Sequence, residues 1–470
     1  MDTTAHAQYE STIHKTIKTM KKAYIILIIL VIAMIRTTMA QTTNQMFVHN
    51  RAKLAAQLPL RSIALFTANE SMPRNGDEFY PFRQQSDFYY LTGIETENAF
   101  LLIAPDYPDE SNREILFIEP YNEAKAIYEG EMLDNEHATE ISGIKTVMGT
   151  DSFYAILNTM AYSGYCETIF LNTYEYPKYE CNVETIQQRF NKDIITRYPM
   201  HNYGRIAPIL NAMRLVKSEE EIELTQRACN ITAEAFRHCM ATVRPGMYEY
   251  QMQAELEYVF KYNNASGNAF APIIAAGKNA CSLHYSKNQA LLNYGDLLLF
   301  DVGCEYKNYS SDLSRTIPIN GKFTPRQADC YNAVLRVMKE ITKLYRPGNT
   351  INDINAATRQ LMEQEMIRLG LFTAEDVKNQ DPNHPLVKKY LPHGVVHHIG
   401  LDKHDNLDGF IPFEPGMILT LEPGIYISEE NIGIRIENDL LITDGKPINL
   451  FEDLPIEVHE IEAAMSKRSK

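Results

Sequence analysis

The sequence predicts an α+β protein of two domains, an α/β domain at residues 41–205 and a second domain at residues 206–470 built from two related halves. The chain has 470 residues, 45% hydrophobic and 22% charged, which is enough for more than one core and ordinary for a globular protein. In the first domain, short apolar strands alternate with helical stretches. In the second, one order of helix, strand and acidic residue occurs twice.

The first 40 residues are not expected to belong to the fold. The uncharged apolar run Ala23–Ile35 follows two lysines and precedes the small residues of Thr38–Ala40. This order is typical of a secretory signal, and the run is shorter than the roughly 20 apolar residues of a spanning helix. We expect residues 20–40 to be a signal peptide, residues 1–19 an over-extended start, and the protein to be exported, either periplasmic or secreted. An uncleaved signal that anchors the chain in the membrane is the alternative.

Composition excludes several classes of function. Asp and Glu number 60 against 45 Lys and Arg, a net charge of −15, which disfavours nucleic acid or an anionic membrane surface as a partner. We therefore expect no stable membrane association after signal cleavage. The seven cysteines contain no CxxC pair, and the chain has neither a glycine-rich phosphate loop nor a Gly-x-Ser-x-Gly elbow. A disulfide scaffold, a nucleotide-binding enzyme and a serine hydrolase of that type are thus disfavoured.

Local patterns predict where individual elements lie. In the first domain, apolar runs predict the strands Ser62–Phe66, Phe100–Ile103 and Ile115–Ile118. In the second, Ser218 with Glu221 and Thr324 with Gln327 have the spacing of capping boxes, so we expect a long helix to start at each place.

An internal repeat defines the second domain. Arg-Pro-Gly precedes a helical stretch at residues 244–246 and again at 346–348, and Gly295–Gly303 is matched by Gly416–Gly424. In both nine-residue stretches, a glycine opens an apolar strand, an acid follows six residues later and a second glycine two residues after that. This repetition predicts two related helix-plus-hairpin halves that face each other.

Four acids of the repeat, Asp301, Asp312, Glu422 and Glu437, lie in apolar strand-like runs. Continuous apolar runs are typical of strands buried on both sides, so a solvated surface position fits these acids poorly. Buried carboxylates must be protonated, paired or metal-bound, because isolated buried charges are very costly. Two divalent cations would balance four negative charges, and oxygen ligands suit Mn, Mg or Zn better than copper. We therefore predict a dinuclear metal site.

Histidines support this prediction. Five of the thirteen lie between His384 and His404, in a stretch too rich in His and Gly for an ordinary core strand. One of them would complete the metal shell, and others would hydrogen-bond a substrate oxygen. Spacing alone leaves the choice between His397 and His398 open.

Two further residues are candidates for the site. His284, seventeen residues before Asp301, is equally compatible with a core position and a catalytic one. Arg435 shares a strand face with Glu437, so it would steady the carboxylates or clamp a substrate.

The acids and one histidine, in the order Asp301, Asp312, His397, Glu422 and Glu437, resemble the ligand set of the pita-bread dinuclear metallopeptidases. Within that superfamily the chain is most similar to the aminopeptidase P (Xaa-Pro aminopeptidase) branch, over residues 45–460. The closest stretches are Leu283–Tyr285, Phe300–Tyr306, Ser311–Thr316, His397–Asp405, Leu421–Tyr426 and Gly433–Glu437. Ser86–Gly93 is similar to the non-catalytic, creatinase-like N-terminal domain of that branch.

The resemblance implies a ligand set for two divalent ions, Mn²⁺ with Zn²⁺ or Co²⁺ as alternatives. Asp312 and Glu437 would bridge the ions, Asp301 would bind one of them, and His397 with Glu422 the other. At position 398, by contrast, members of the branch often have an aromatic residue.

The resemblance also implies an activity, the release of the N-terminal residue from peptides with proline second. A metal-bridging hydroxide would attack the carbonyl, and Glu422 would shuttle its proton. His284, His393 and His404 align with substrate-contacting histidines that stabilise the oxyanion, carry protons or fix the proline-side carbonyl. Because the Xaa-Pro bond lacks an amide hydrogen, it needs a dedicated pocket.

Two other functions are compatible with the same fold. An Xaa-Pro dipeptidase (prolidase) would use the same metals on dipeptides alone, and a non-catalytic pita-bread binding module would keep the fold without turnover. Members of the family often form dimers or tetramers, so a homodimer or homotetramer is expected.

Overall fold

The computed structural model of the protein describes residues 44–176, 182–405 and 408–466. The predicted signal peptide at 20–40 and the segment 1–19 lie outside these described residues. Among the residues that are described, no helix has both the length and the apolar character needed to cross a membrane.

Helices and strands alternate along the described chain. The helices are α1 (residues 44–55), α2 (Ser86–Thr92), α3 (Glu123–Glu129), α4 (Asn135–Ser142), α5 (Phe153–Tyr162), α6 (Ile186–Arg197), α7 (Ala207–Leu215), α8 (Glu219–Thr242), α9 (Glu249–Tyr262), α10 (Pro325–Thr342), α11 (Ile351–Arg368), α12 (Ala374–Lys378), α13 (Val387–Tyr390) and α14 (Val458–Ser466). The strands are β1 (Ser62–Thr67), β2 (Pro73–Asn75), β3 (Glu78–Phe79), β4 (Phe100–Ile103), β5 (Glu114–Ile118), β6 (Thr146–Gly149), β7 (Thr168–Leu171), β8 (Asn202–Arg205), β9 (Gly267–Asn268), β10 (Ile273–Ala276), β11 (Leu297–Val302), β12 (Cys304–Tyr306), β13 (Tyr309–Ser310), β14 (Leu313–Pro318), β15 (Ile418–Leu421), β16 (Gly424–Ile427), β17 (Ile432–Arg435), β18 (Asn438–Leu441) and β19 (Ile448–Asn449).

The described residues form two compact units. The first contains the chain up to Glu70 together with Phe88–Ile169, and the second contains Ser71–Asp87 together with the chain from Phe170 onward. The domain boundary that we expect between residues 205 and 206 falls inside the second unit, and it stays a prediction.

The first unit is a helix-on-sheet layer. Strands β6, β5, β4 and β1 are neighbours in that order, with β5 and β6 parallel and the other pairs antiparallel. All three strands predicted for this region are confirmed, each to within one residue. Phe153 of α5 packs on this sheet, with its ring centroid 4.5 Å from that of Phe100 and 5.2 Å from that of Phe117. The apolar strand runs are therefore buried under a helix.

The second unit contains the predicted repeat. In each half, two long helices precede an antiparallel strand pair: α8 and α9 precede β11 with β14, and α10 and α11 precede β15 with β18. The capping boxes at Ser218 and Thr324 are both present, and the two Arg-Pro-Gly segments precede α9 and α11. One apolar core, to which both halves contribute, encloses the strand pairs.

The strand pair of the first half is held unusually close at Gly303. A Cβ atom at this position would lie 1.8 Å from the carbonyl oxygen of Ser311, so a residue with a side chain does not fit. Gly303 follows β11 directly, and Ser311 lies just before Asp312. This close approach brings Asp301 and Asp312 to the same end of the strand pair.

The expectation that all four acids lie inside strands is wrong for three of them. Asp301 lies in β11, but Asp312 precedes β14, Glu422 follows β15, and Glu437 lies between β17 and β18. Regular strand pairing stops at these acids, and their backbone groups form hydrogen bonds outside the sheets. The Asp312 amide, for example, donates to the Asp439 carboxylate (3.0 Å). The strand ends turn the acids inward instead of leaving them on one pleated face.

Candidate metal centre

The four acids converge in the interior of the second unit, and we call them the acidic cluster: Asp301, Asp312, Glu422 and Glu437. Asp312, Glu437 and Asp301 are 0%, 1% and 7% exposed, whereas Glu422 is half-buried. One ligand atom each from Asp312, His397 and Glu437 lie within 4.8 Å of one another. Residues from both halves of the repeat thus surround one small space.

The unsatisfied oxygen atoms of the acidic cluster fit a metal ion. Both carboxylate oxygens of Asp312 and Oδ1 of Asp301 are buried and accept no hydrogen bond from the described residues. Buried anionic oxygens without donors are costly, and hard divalent cations prefer several such oxygens. The donor set present here therefore suits Mn²⁺, Mg²⁺ or Zn²⁺.

The electrostatics of the acidic cluster show a shortage of positive charge. Burial, together with the neighbouring carboxylates of Asp312 and Glu422, raises the pKa of Glu437 well above its usual value. At Asp301, burial acts in the same direction, but the cations of Lys403 and Arg435 hold its pKa below the usual value. A bound divalent cation would favour the ionised form of every acid in the cluster.

His397, and not His398, lies within reach of the acids. Nε2 of His397 is 3.5 Å from Oδ2 of Asp312 and 3.9 Å from Oε1 of Glu422. Its Nδ1 is 3.1 Å from the carbonyl oxygen of His398, and donation there leaves the Nε2 lone pair for a metal. The His398 ring is fully buried, makes no hydrogen bond with the described residues, and burial lowers its pKa to about 3.

Arg435 holds the acids in place from β17. Its Nη2 donates to Asp301 Oδ2 (2.6 Å), its Nε to the Ser314 hydroxyl (2.8 Å) and its Nη1 to the Tyr426 hydroxyl (2.8 Å). Ser314 in turn donates to Oε2 of Glu437 (2.7 Å). Arg435 thus contacts Asp301 directly and Glu437 through Ser314, which fits the predicted role of steadying the carboxylates.

His393 is joined to the same network. Its Nε2 lies 2.8 Å from the Tyr426 hydroxyl, and its Nδ1 is 2.9 Å from the carbonyl oxygen of Gly394 and 3.8 Å from Oε2 of Glu422. Burial lowers the pKa of His393 below its usual value, and the charge of His284 contributes to this shift. His393 is therefore a neutral imidazole at neutral pH, whose Nδ1–H donates to the Gly394 carbonyl oxygen and whose Nε2 accepts from the Tyr426 hydroxyl.

His404 lies on the other side of His397. The two ring centroids are 4.4 Å apart in an edge-to-face arrangement, and the His404 ring also stacks on the ring of Tyr176, with 5.9 Å between centroids. His404 and His284 are both exposed. The charge of His284 lowers the pKa of His393, so the two histidines interact electrostatically.

Four residues that contact the acidic cluster or Arg435 were not predicted from the sequence: Ser314, Tyr426, Asp439 and Lys403. Tyr426 could have been found, because it lies on a strand that is directly followed by the one carrying Arg435. Asp439 is buried beneath Asp312, and burial together with that carboxylate raises its pKa to about 8. Lys403 has no local signal that would place it near the acids.

Comparisons with known proteins agree with this site. Residues 223–444 match the model of metallopeptidase family M24, and residues 47–170 match the aminopeptidase P N-terminal domain. The chain is 33% identical to an Xaa-Pro aminopeptidase of Escherichia coli, covering 91% of this chain and 99% of the relative. It is 32% identical to an Xaa-Pro aminopeptidase of Haemophilus influenzae, with coverage of 91% and 99%.

Structural similarity leads to the same class. A zinc-substituted E. coli aminopeptidase P in complex with product superposes with a TM-score of 0.80 at 31% identity, covering 91% of this chain and 99% of that one. Fold and site together define a two-domain metallopeptidase with a pita-bread catalytic domain. The chain belongs to the Xaa-Pro aminopeptidase (aminopeptidase P) branch of family M24 and is a metal-dependent aminopeptidase, which confirms the predicted family, fold and class of enzyme.

The contacts of Arg435 generate a prediction about metal affinity. In Arg435→Lys, the charge is retained but one ammonium cannot reach Asp301, Ser314 and Tyr426 together. We expect the affinity for Mn²⁺ to fall about 10- to 100-fold, as for other residues that orient metal ligands. Equilibrium dialysis measures this change. Arg326→Lys is the control, because Arg326 makes a two-pronged ion pair with Glu430 at the surface; an equal loss in both variants would contradict the prediction.

Proposed function

We propose that the protein removes the N-terminal residue from peptides that have proline in the second position. The acidic cluster with its unsatisfied Asp312 and Asp301 oxygens carries this proposal, because it provides ligands for the metal chemistry of the family. The relatives from E. coli and H. influenzae, which the chain matches over nearly their whole length, are named Xaa-Pro aminopeptidases.

Five residues would hold two divalent ions: Asp301, Asp312, His397, Glu422 and Glu437. When bound, such ions lower the pKa of a water molecule and polarise the scissile carbonyl. Glu422, half-buried and next to His393, is placed to take a proton from the attacking water and to pass it on. We propose Mn²⁺ as the native metal, with Zn²⁺ or Co²⁺ as alternatives; the E. coli structure contains zinc by substitution.

The histidines around the acidic cluster would handle the substrate. His393, fixed by Tyr426 and neutral at neutral pH, would hydrogen-bond the developing oxyanion or exchange a proton with Glu422. His404 would contact the carbonyl on the proline side, with Tyr176 supporting its ring. His284 is exposed and close to His393, so we assign it to the same substrate-contacting group.

The relatives disfavour the two alternative functions. A prolidase would share the metals, but the relatives from E. coli and H. influenzae, which cover 91% of the chain, are named Xaa-Pro aminopeptidases. A non-catalytic binding module would not need the complete set of acids and histidine that the structure gathers.

Cleavage of a tripeptide with proline second is the direct test of the proposed function. We expect release of the first residue, loss of turnover on treatment with a chelator, and recovery when Mn²⁺ is added back, because the acids alone cannot activate water. Chromatography of the products, together with elemental analysis of the protein, measures these outcomes. A dipeptide assayed in parallel should be the poorer substrate.

Asp312→Asn separates the metal site from the rest of the fold. This isosteric change should abolish metal binding and turnover without altering the far-UV circular dichroism. Asp381→Asn, which changes an exposed acid paired with His384, is the control and should behave as the wild type. Turnover that survives in Asp312→Asn would refute the proposed metal site. If the wild type cleaves the dipeptide and not the tripeptide, the activity would be that of a prolidase instead of an aminopeptidase.

His404→Ala is expected to retain both metal ions and to lower kcat by about 100-fold, because His404 contacts substrate and is not a ligand. Steady-state kinetics with the tripeptide and elemental analysis give the two quantities. His384→Ala, in the same histidine-rich stretch but paired with Asp381 at the surface, is the matched control. Unchanged kinetics in His404→Ala would remove this residue from the catalytic machinery.

We also propose that the protein is exported to the periplasm or secreted, from the signal-like pattern at residues 20–40. Cleavage after Ala40 would make Gln41 the first residue of the mature chain, which N-terminal sequencing of protein from the native host would detect. A first residue upstream of Ala23 would indicate an uncleaved anchor instead. A homodimer or homotetramer is the assembly implied by the family resemblance, and light scattering would measure it.

A further inference from the structure

Lys403 places a positive charge directly among the carboxylates. Its Nζ is 3.2 Å from Oδ2 of Asp312 and 3.9 Å from Oδ1 of Asp301. It also lies 3.3 Å from the ring centroid of Phe270, a cation–π contact that stabilises the ammonium at this place. With a side-chain exposure of 23%, Lys403 is not a freely solvated surface lysine.

The backbone that carries Lys403 is anchored on both sides. Arg214 donates to the carboxylate of Asp402 (2.6 Å) and also to that of Asp405, and Lys217 donates to Asp405 as well (3.0 Å). Ser86 donates to the other oxygen of Asp402 (2.7 Å). Because both neighbouring acids are fixed by buried partners, the ammonium can leave the cluster only by rotation of the Lys403 side chain.

The charge balance makes the affinities of the cluster for a first and a second divalent ion unequal. The acidic cluster has four negative charges when fully ionised, and Arg435 and Lys403 supply two positive ones. One divalent ion would therefore neutralise the cluster. A second would enter a neutral cluster from which a competing ammonium must first be displaced, at short range and away from bulk water.

The ion pairs of Lys403 show which carboxylate oxygens its ammonium approaches. Within the described chain, its ion pairs are with Asp301 and Asp312. The group of ligand atoms within 4.8 Å of one another is instead formed by Asp312, His397 and Glu437. Asp312 belongs to both sets, and its Oδ2 lies 3.2 Å from the ammonium and 3.5 Å from Nε2 of His397. The ammonium thus lies against an oxygen that a metal ion held by His397 would also need.

We propose that Lys403 is a built-in competitor for the divalent ions at the acidic cluster, so that the second ion binds more weakly than the first. This inference rests on the proposed dinuclear centre and adds an order of metal uptake to it. In a centre that turns over only with both ions bound, the more weakly bound ion would set the range of free metal concentration over which the enzyme becomes active.

Titration of the chelator-treated full-length protein with Mn²⁺ tests this inference, with free Mn²⁺ followed by electron paramagnetic resonance. The wild type should bind a first ion and then a second at least about tenfold more weakly. In Lys403→Met, the second ion should bind about tenfold or more tightly than in the wild type, since the competing charge is gone. Lys389→Met, which removes a surface lysine paired with Glu429, should leave both affinities unchanged.

Phe270→Leu provides a second test that keeps every charge in place. Loss of the ring beneath the ammonium should strengthen the second Mn²⁺ affinity in the same direction as Lys403→Met, but by a smaller factor. If the wild type binds two ions with equal affinity, or if Lys403→Met and Phe270→Leu both leave the second affinity unchanged, the inference is overturned while the dinuclear centre stands. A wild type that binds no Mn²⁺ overturns the inference and the proposed centre together.

Discussion

Compensation of buried negative charge is the constraint on which this structure depends. Asp301, Asp312 and Glu437 are almost completely removed from solvent, and two of them have oxygens that accept no hydrogen bond from the described residues. Isolated charges in such a place would cost several kcal/mol each, so the fold must supply cations or cause protons to bind. Arg435 and Lys403 supply part of the positive charge, and the raised pKa of Glu437 shows that they do not supply all of it. Divalent metal ions complete the balance.

The repeated architecture meets this constraint by dividing the acids between two halves. Each half contains an antiparallel strand pair and contributes two carboxylates at or next to the corresponding end of that pair. Backbone and side-chain bonds then join the halves: the Glu437 amide donates to the carbonyl oxygen of Ser314 (3.0 Å), and Arg315 donates to the side chain of Asn438 (2.6 Å). The relative positions of the acids are thus set by hydrogen bonds between the strand pairs, which gives a metal centre fixed geometry before any ion binds.

Much of the fold could be predicted because its signals are local. Capping boxes at Ser218 and Thr324, apolar runs and the repeated glycines each depend on a few adjacent residues, and the elements they predict are present. The strand ends at Asp312 and Glu437 were not predictable in this way, since pairing stops there through contacts with distant residues such as Asp439. Local sequence patterns therefore predict the presence of helices and strands well, and the residues at which they end less well.

By itself, the sequence determined the order of elements, the family and the four acidic candidates for ligands, because these follow from spacing and residue type along the chain; the choice of His397 over His398 came from the family resemblance. Only the tertiary structure decided what surrounds those ligands. The Arg435, Ser314 and Tyr426 network joins residues more than a hundred positions apart, and Lys403 meets Phe270 and Asp312 through the packing of separate segments. Such contacts arise from burial and charge in three dimensions, for which a linear pattern holds no signal.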